Sequence, residues 1–160
     1  MADPSGVSEA ALEHARRYFE LHASQRMSLF NFFLVLAGLF SAGLAAVLQG
    51  SENLSILGMV LGVLLSLVSF VFWKLDQRVS FFIKHAEAAL SELEKRMPEE
   101  RARLFLNEPA LTSVARSTGP RWTRMWTYSR SFRVVFLTMA ATGFGGFILS
   151  VLRICGCVKW

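Results

Sequence analysis

Three long stretches without a charged residue constrain this chain more than any other feature. Residues 27–51 make 25 uncharged positions, 53–73 make 21 and 134–152 make 19. About 20 apolar residues, rising about 1.5 Å each in a helix, cross the hydrocarbon core of a bilayer. Each stretch is apolar around its whole circumference, which fits lipid better than one flank of a soluble bundle. A body of 160 residues could not bury all three. The composition agrees, with 53% hydrophobic and only 18% charged residues, and excludes a disordered or disulfide-built secreted chain. Spans are expected at about 29–49, 54–73 and 133–153. The first is no secretory signal, since Asp3, Glu9, Glu13 and Glu20 precede it.

Lysine and arginine set the orientation. Three precede the first span, none lies in 49–53, twelve lie between Lys74 and Arg133, and Arg153 and Lys159 follow the third span. The positive-inside rule then puts the N-terminus and the long middle segment in the cytoplasm, and the C-terminus outside. The chain divides into a cytoplasmic helix continuous with span 1 (1–27) and a transmembrane hairpin (28–74). A cytoplasmic helical and basic-aromatic segment (75–131) and a third span with an outer tail (132–160) follow.

No proline falls between Ser8 and Gln49 or between Leu54 and Met97. Two long helices are therefore expected, the first capped by Ser8 and the second stopped by Pro98. The turn Gln49-Gly50-Ser51-Glu52-Asn53 makes them an antiparallel hairpin. Beyond the membrane their extensions carry heptad-like seams, Ala11, Ala15, Tyr18, His22 and Gln25 facing Val79, Phe82, Ala86, Leu93 and Met97. A short amphipathic helix is expected over 99–105, broken by Asn107-Glu108-Pro109. The third helix is expected to begin near Arg121. The fold class is an all-α membrane protein, a long hairpin plus a third transmembrane helix, in an oligomer.

Each span carries a stripe of small or polar residues. The first has Asn31, Gly38, Ala42, Ala45 and Gln49. The second has Ser55, Gly58, Gly62, Ser66 and Ser69, and the third Thr138, Thr142, Gly146 and Ser150. Such stripes let helices approach closely and exchange hydrogen bonds, or they line a pore. The first two could satisfy each other in the hairpin, which leaves the third as the pore candidate. Asn31 reads as a helix–helix hydrogen bond.

Charge gathers at the inner membrane face. Arg26 ends the first cytoplasmic helix, and Arg78 follows the second span. The densest cluster is 121–133, where Arg121, Arg124, Arg130 and Arg133 alternate with Trp122, Trp126, Tyr128 and Phe132. It reads as an interfacial belt with snorkelling anchors. It also reads as a nucleotide or oligonucleotide site, with Arg121, Arg124, Arg130, Arg26 and Arg78 on phosphates and Trp122 and Trp126 as stacking faces. No nucleophile elbow, P-loop or metal-ligand spacing is present, so neither catalysis nor a cofactor is expected. Cys155 and Cys157 are too few for a closed zinc site.

Two blocks, YFELHASQRMSLFNFFLVL (18–36) and FWKLDQRVSFFIKHAEAAL (72–90), resemble a group of small bacterial membrane proteins encoded beside anti-phage defence genes. The resemblance covers about the first 95 residues. Size, span count and the same blocks are also similar to the channel effector of the Hailong defence system. There, a nucleotidyltransferase makes a DNA oligomer that controls a tetrameric membrane channel. The resemblance implies an inner-membrane effector that depolarises the membrane. It implies a homo-oligomer, here expected to be a tetramer, and a DNA oligomer or cyclic nucleotide ligand from a partner nucleotidyltransferase. The other reading of the residues is a non-channel adaptor that recruits a protein through its helical stalk.

Overall fold

A computed structural model describes residues 4–95, 103–117 and 127–158. Every regular element among them is helical. Helix α1 is Pro4–Gln49, α2 is Ser55–Glu94, α3 is Leu104–Ser117 and α4 is Tyr128–Ile154, with a 3-10 turn at Glu52–Leu54 between α1 and α2. At about 1.5 Å per residue, the 46 residues of α1 reach about 70 Å. Three helices, α1, α2 and α4, are long and apolar enough to cross a membrane.

Several helix ends differ from expectation. Ser8 does not cap α1, which already begins at Pro4. Proline is at ease in the first helical position, where its missing N–H has no partner to lose. Helix α2 ends at Glu94, and Pro98 lies outside the described residues. Asn107-Glu108-Pro109 does not break a helix, because α3 runs through it. Pro109 forfeits one bond to the carbonyl four residues back. The N-terminal end of the helix is tied from elsewhere in the chain: the Glu94 carboxylate accepts the Leu106 N–H at 3.0 Å. Glu94 thereby does in space what a capping side chain does in sequence. Helix α4 is described from Tyr128, so the expected start near Arg121 falls outside the described residues. Its C-terminus closes with paired bonds, Cys157 N–H to Leu152 O at 2.9 Å and Gly156 N–H to Arg153 O at 3.1 Å. This closure needs a left-handed residue, and Gly156 supplies it at φ 70°.

The chain forms two compact units. One comprises Met1–Arg26 with Arg78–Thr127, the other Met27–Gln77 with Tyr128–Trp160. In the first, α1 and α2 meet through the expected seam: His22 lies between Tyr18 (4.2 Å) and Phe82 (5.3 Å). Ile83, Ala86 and Leu90 are buried there. Helix α3 joins by the edge of Phe105 against Phe19 at 5.3 Å. Ala11 and Gln25 are exposed, so the seam is narrower than its heptad register.

The second unit is a three-helix bundle with a graded core. One part is aromatic: Phe33 and Leu65 are fully buried beside Phe132 and Phe136. Phe30 stacks on Phe132 at 4.0 Å, and Phe33 meets Phe136 edge-on at 4.7 Å. The other part is built from small residues that bring backbones into contact, as described next.

Candidate functional site

The small stripe of α2 packs on α4. A Cβ added to Gly62 would lie 2.6 Å from the Gly143 carbonyl oxygen and 2.7 Å from the Phe147 nitrogen. One added to Gly58 would lie 2.5 Å from Ser150 Oγ and 3.1 Å from Val47 Cγ1. Ser66 Oγ donates to the Ala140 carbonyl at 3.1 Å, one turn further along. Gly146 is buried against the Leu44 side chain of α1. The stripes of the first two spans therefore do not satisfy each other. That of α2 is consumed chiefly by α4, and Gly146 and Ser150 are consumed with it.

The stripe of α4 divides because its residues recur in steps of four. Four residues turn about 400°, so each step drifts about 40° around the axis. The residues buried along α4 are Phe132, Phe136, Gly143, Gly146, Ser150 and Arg153, which mix threes and fours and hold one face. Gly143 was legible on that spacing. Thr138 and Thr142 are exposed, and each hydroxyl donates to the carbonyl four residues back, Val134 at 2.8 Å and Thr138 at 3.0 Å. Ser69 and Ser150 bond to their own helix in the same way. A hydroxyl satisfied inside its own helix needs no neighbour.

The stripe of α1 is different. Asn31, Gly38, Ala42, Ala45 and Gln49 are all exposed, and a Cβ on Gly38 would meet nothing within 4 Å. At about 100° per residue these five lie within about 60° of one another on the helix. They sit opposite Phe33, Ala37, Leu44 and Val47, which bury α1 against the rest of its unit. The chain thus leaves one small, polar-ended face uncovered. Asn31, expected to bond between helices, is exposed on this open face.

Arg153 is a residue that charge counting placed in the outer tail. It is 6% exposed and donates to the Leu48 carbonyl at 3.1 Å and the Gly50 carbonyl at 2.6 Å. These carbonyls end α1, where helices leave acceptors without partners and favour a cation. Arg153 therefore ties α4 to the turn between α1 and α2. Cys155 and Cys157 are free and exposed.

Of the ligand residues expected from sequence, Arg121, Trp122, Arg124 and Trp126 lie outside the described residues. Arg130 is exposed on the first turn of α4, in the second unit. Arg26 and Arg78 belong to the first unit. Arg78 stands 5.8 Å over the Phe82 ring, while the charge of Arg26 is felt at Glu87. Burial, then the neighbouring Glu108, raises the Glu87 carboxyl above its ordinary value, against the opposing pull of Lys84 and Arg26. Among the described residues no three metal-ligating side chains gather.

A membrane bundle that buries the small face of α2 and part of that of α4, and leaves that of α1 open, fits the protomer of an assembly, and comparison with known proteins agrees. Residues 9–152 match the octameric membrane protein family. The chain belongs to that family. A similar protein is CD-NTase-associated protein 19 of Escherichia coli, 40% identical over 143 residues that cover 88% of this chain and 89% of the relative. No solved structure matches. The resemblance read in blocks 18–36 and 72–90, to small membrane effectors of anti-phage defence, holds, and the match extends it well past the first 95 residues. The protein is an all-helical, oligomeric membrane protein.

Proposed function

We propose that the protein is a non-enzymatic channel effector of bacterial anti-phage immunity, eight copies forming a pore in the inner membrane. The observation that carries this reading is the open face of α1. Asn31, Gly38, Ala42, Ala45 and Gln49 are small or polar, uncovered and aligned along a span. Polar groups inside a membrane are costly against lipid and belong toward a bundle interior or a water-filled path. The α2 stripe and the Gly146 and Ser150 part of the α4 stripe are occupied within the chain, and the exposed Thr138 and Thr142 satisfy their hydroxyls inside α4, so this reading favours α1 over α4 as the pore lining. The family's octameric description supports eight copies in place of the tetramer expected from sequence.

The signal in this reading is a nucleotide or oligonucleotide made by a partner nucleotidyltransferase. The name of the similar protein from Escherichia coli, which associates it with a CD-NTase, supports such a partner. Arg121, Trp122, Arg124, Trp126 and Arg130 remain the candidate contacts, with the N-terminus and this segment cytoplasmic and the C-terminus outside. The sequence joins this cluster directly to α4, so a ligand that binds it more tightly in one state than the other shifts the open–closed equilibrium.

The test is substituted-cysteine accessibility. Gly38→Cys or Ala42→Cys, in a chain with Cys155 and Cys157 changed to Ser, is treated with a charged thiol reagent in liposomes during ion flux. Block of flux at these positions, and not at Phe32 or Leu39, supports α1 as the lining. Expression that never collapses the membrane potential, with the partner enzyme active, overturns the channel and favours the adaptor.

A further inference from the structure

The unit of Met1–Arg26 and Arg78–Thr127 contains a second group of titratable side chains, which neither the pore nor the nucleotide reading uses. Helix α2 presents Lys84, Glu87, Ala88 and Ser91, spaced three, one and three apart and so on one face. Helix α3 presents Phe105, Glu108 and Thr112, spaced three and four apart. These residues line a cleft of about 330 Å³. Two carboxylates, Glu87 and Glu108, thus share one helix–helix junction. The charges that bear on Glu87 come from every helix of the unit: Arg26 from α1, Lys84 from α2 and Glu108 from α3.

Helix α3 is short. It has 14 residues, a length at which an isolated helix is marginal in water. Its anchors include the Phe105 edge on Phe19 and the Glu94 carboxylate on the Leu106 N–H. Against them stands the cost of an ionised Glu87 in the junction, first from desolvation and then from Glu108. Removing α3 would take the Phe105 and Thr112 wall of the cleft and the Glu108 charge away from Glu87. The junction therefore couples a proton to a packing contact.

We propose that docking of α3 on α2 is a proton-linked switch, in which protonation of Glu87 seats α3 and ionisation loosens it. The sign follows from linkage. The carboxyl of Glu87 is raised above its ordinary value with α3 in place, so the docked form binds the proton more tightly than the undocked form. Docking is strongest below the ordinary carboxylate range and weakens as pH rises through the raised value. For each unit by which docking raises the pKa, protonation strengthens the docking equilibrium about tenfold. In sequence, α3 lies between the hairpin and the third span, so a change in its seat is placed to alter the connection between them.

The experiment uses the full chain in lipid nanodiscs, with Cys155 and Cys157 changed to Ser and spin labels at Ala89→Cys and Ser113→Cys. Labelled subunits are diluted with unlabelled ones, and distances are read at about pH 4 and about pH 8. The expected result is a short, narrow distance at the lower pH and a broader, longer one at the higher. Glu87→Gln should give the short distance at both. Glu108→Gln should shrink the pH dependence without abolishing it, because burial is the larger cause. A wild-type distribution that does not change between the two pH values overturns the proposal, as does Glu87→Gln remaining as pH-sensitive as wild type. If the labels disturb folding, hydrogen exchange of amides 104–117 in the unlabelled protein, corrected for intrinsic exchange, decides the same question. Protection that does not rise as pH falls refutes the switch.

Discussion

Replacing Gly62 with alanine adds one methyl group at the closest approach of α2 to α4. The new Cβ would lie 2.6 Å from the Gly143 oxygen and 2.7 Å from the Phe147 nitrogen. Ordinary contact begins at 3.4 Å, so the shorter distance falls short by 0.8 Å. Both obstructing atoms are backbone and cannot rotate away, so the two helices must separate by most of that amount. The Ser66 Oγ bond to the Ala140 carbonyl, 3.1 Å long and one turn away, would stretch beyond hydrogen-bonding range. Overpacking of this kind costs about 1–3 kcal/mol. The lost bond adds about 0.6 kcal/mol, the value typical of interhelical bonds in membranes. Alanine returns up to about 1 kcal/mol of helix propensity. The net expectation is a loss of about 1–3 kcal/mol. Gly145→Ala is the control, since a Cβ there meets nothing within 4 Å. Unfolding by SDS titration in mixed micelles, followed by tryptophan fluorescence, should show an earlier midpoint for Gly62→Ala and an unchanged or later one for Gly145→Ala. Equal midpoints would refute the close approach of α2 and α4.

Arg153→Met removes two charge-assisted bonds from the end of α1, each worth about 1.5–3 kcal/mol, and should expose the 49–53 turn to added protease in intact vesicles. Arg153→Lys should rescue it only in part, because one ammonium does not reproduce a planar fork reaching two carbonyls. If the nucleotide reading is right, the double change Arg121→Ala with Arg124→Ala should weaken oligonucleotide binding and flatten its salt dependence while the oligomer still assembles. Absence of any oligonucleotide binding by the wild-type oligomer at low salt would end that reading. A reporter fused after Trp160 should be active outside the cytoplasm; activity inside would refute the three-span topology.

The spans, the hairpin and the seam between α1 and α2 are legible in the sequence because each rests on a local quantity. Uninterrupted apolar runs fix α1, α2 and α4, since lipid demands a satisfied backbone over a set length and tolerates little else. The seam of Ala15, Tyr18 and His22 against Phe82 and Ala86 is legible for the same kind of reason: periodicity sets the face before a partner is known. Helix ends are less legible. Glu94 caps α3 from 12 residues upstream, and α3 runs on through Pro109. Two further features belong to tertiary structure alone. Small-residue stripes on three spans look alike in sequence, and only packing decides that Gly58, Gly62, Gly143 and Gly146 face inward while Gly38, Ala42 and Ala45 stay open. Charge counting likewise gives Arg153 a side of the membrane, but its burial against Leu48 and Gly50 comes from α4 meeting the end of α1. Sequence determines which faces are able to pack; the geometry of three helices meeting determines which of them do, because one face can be buried only once.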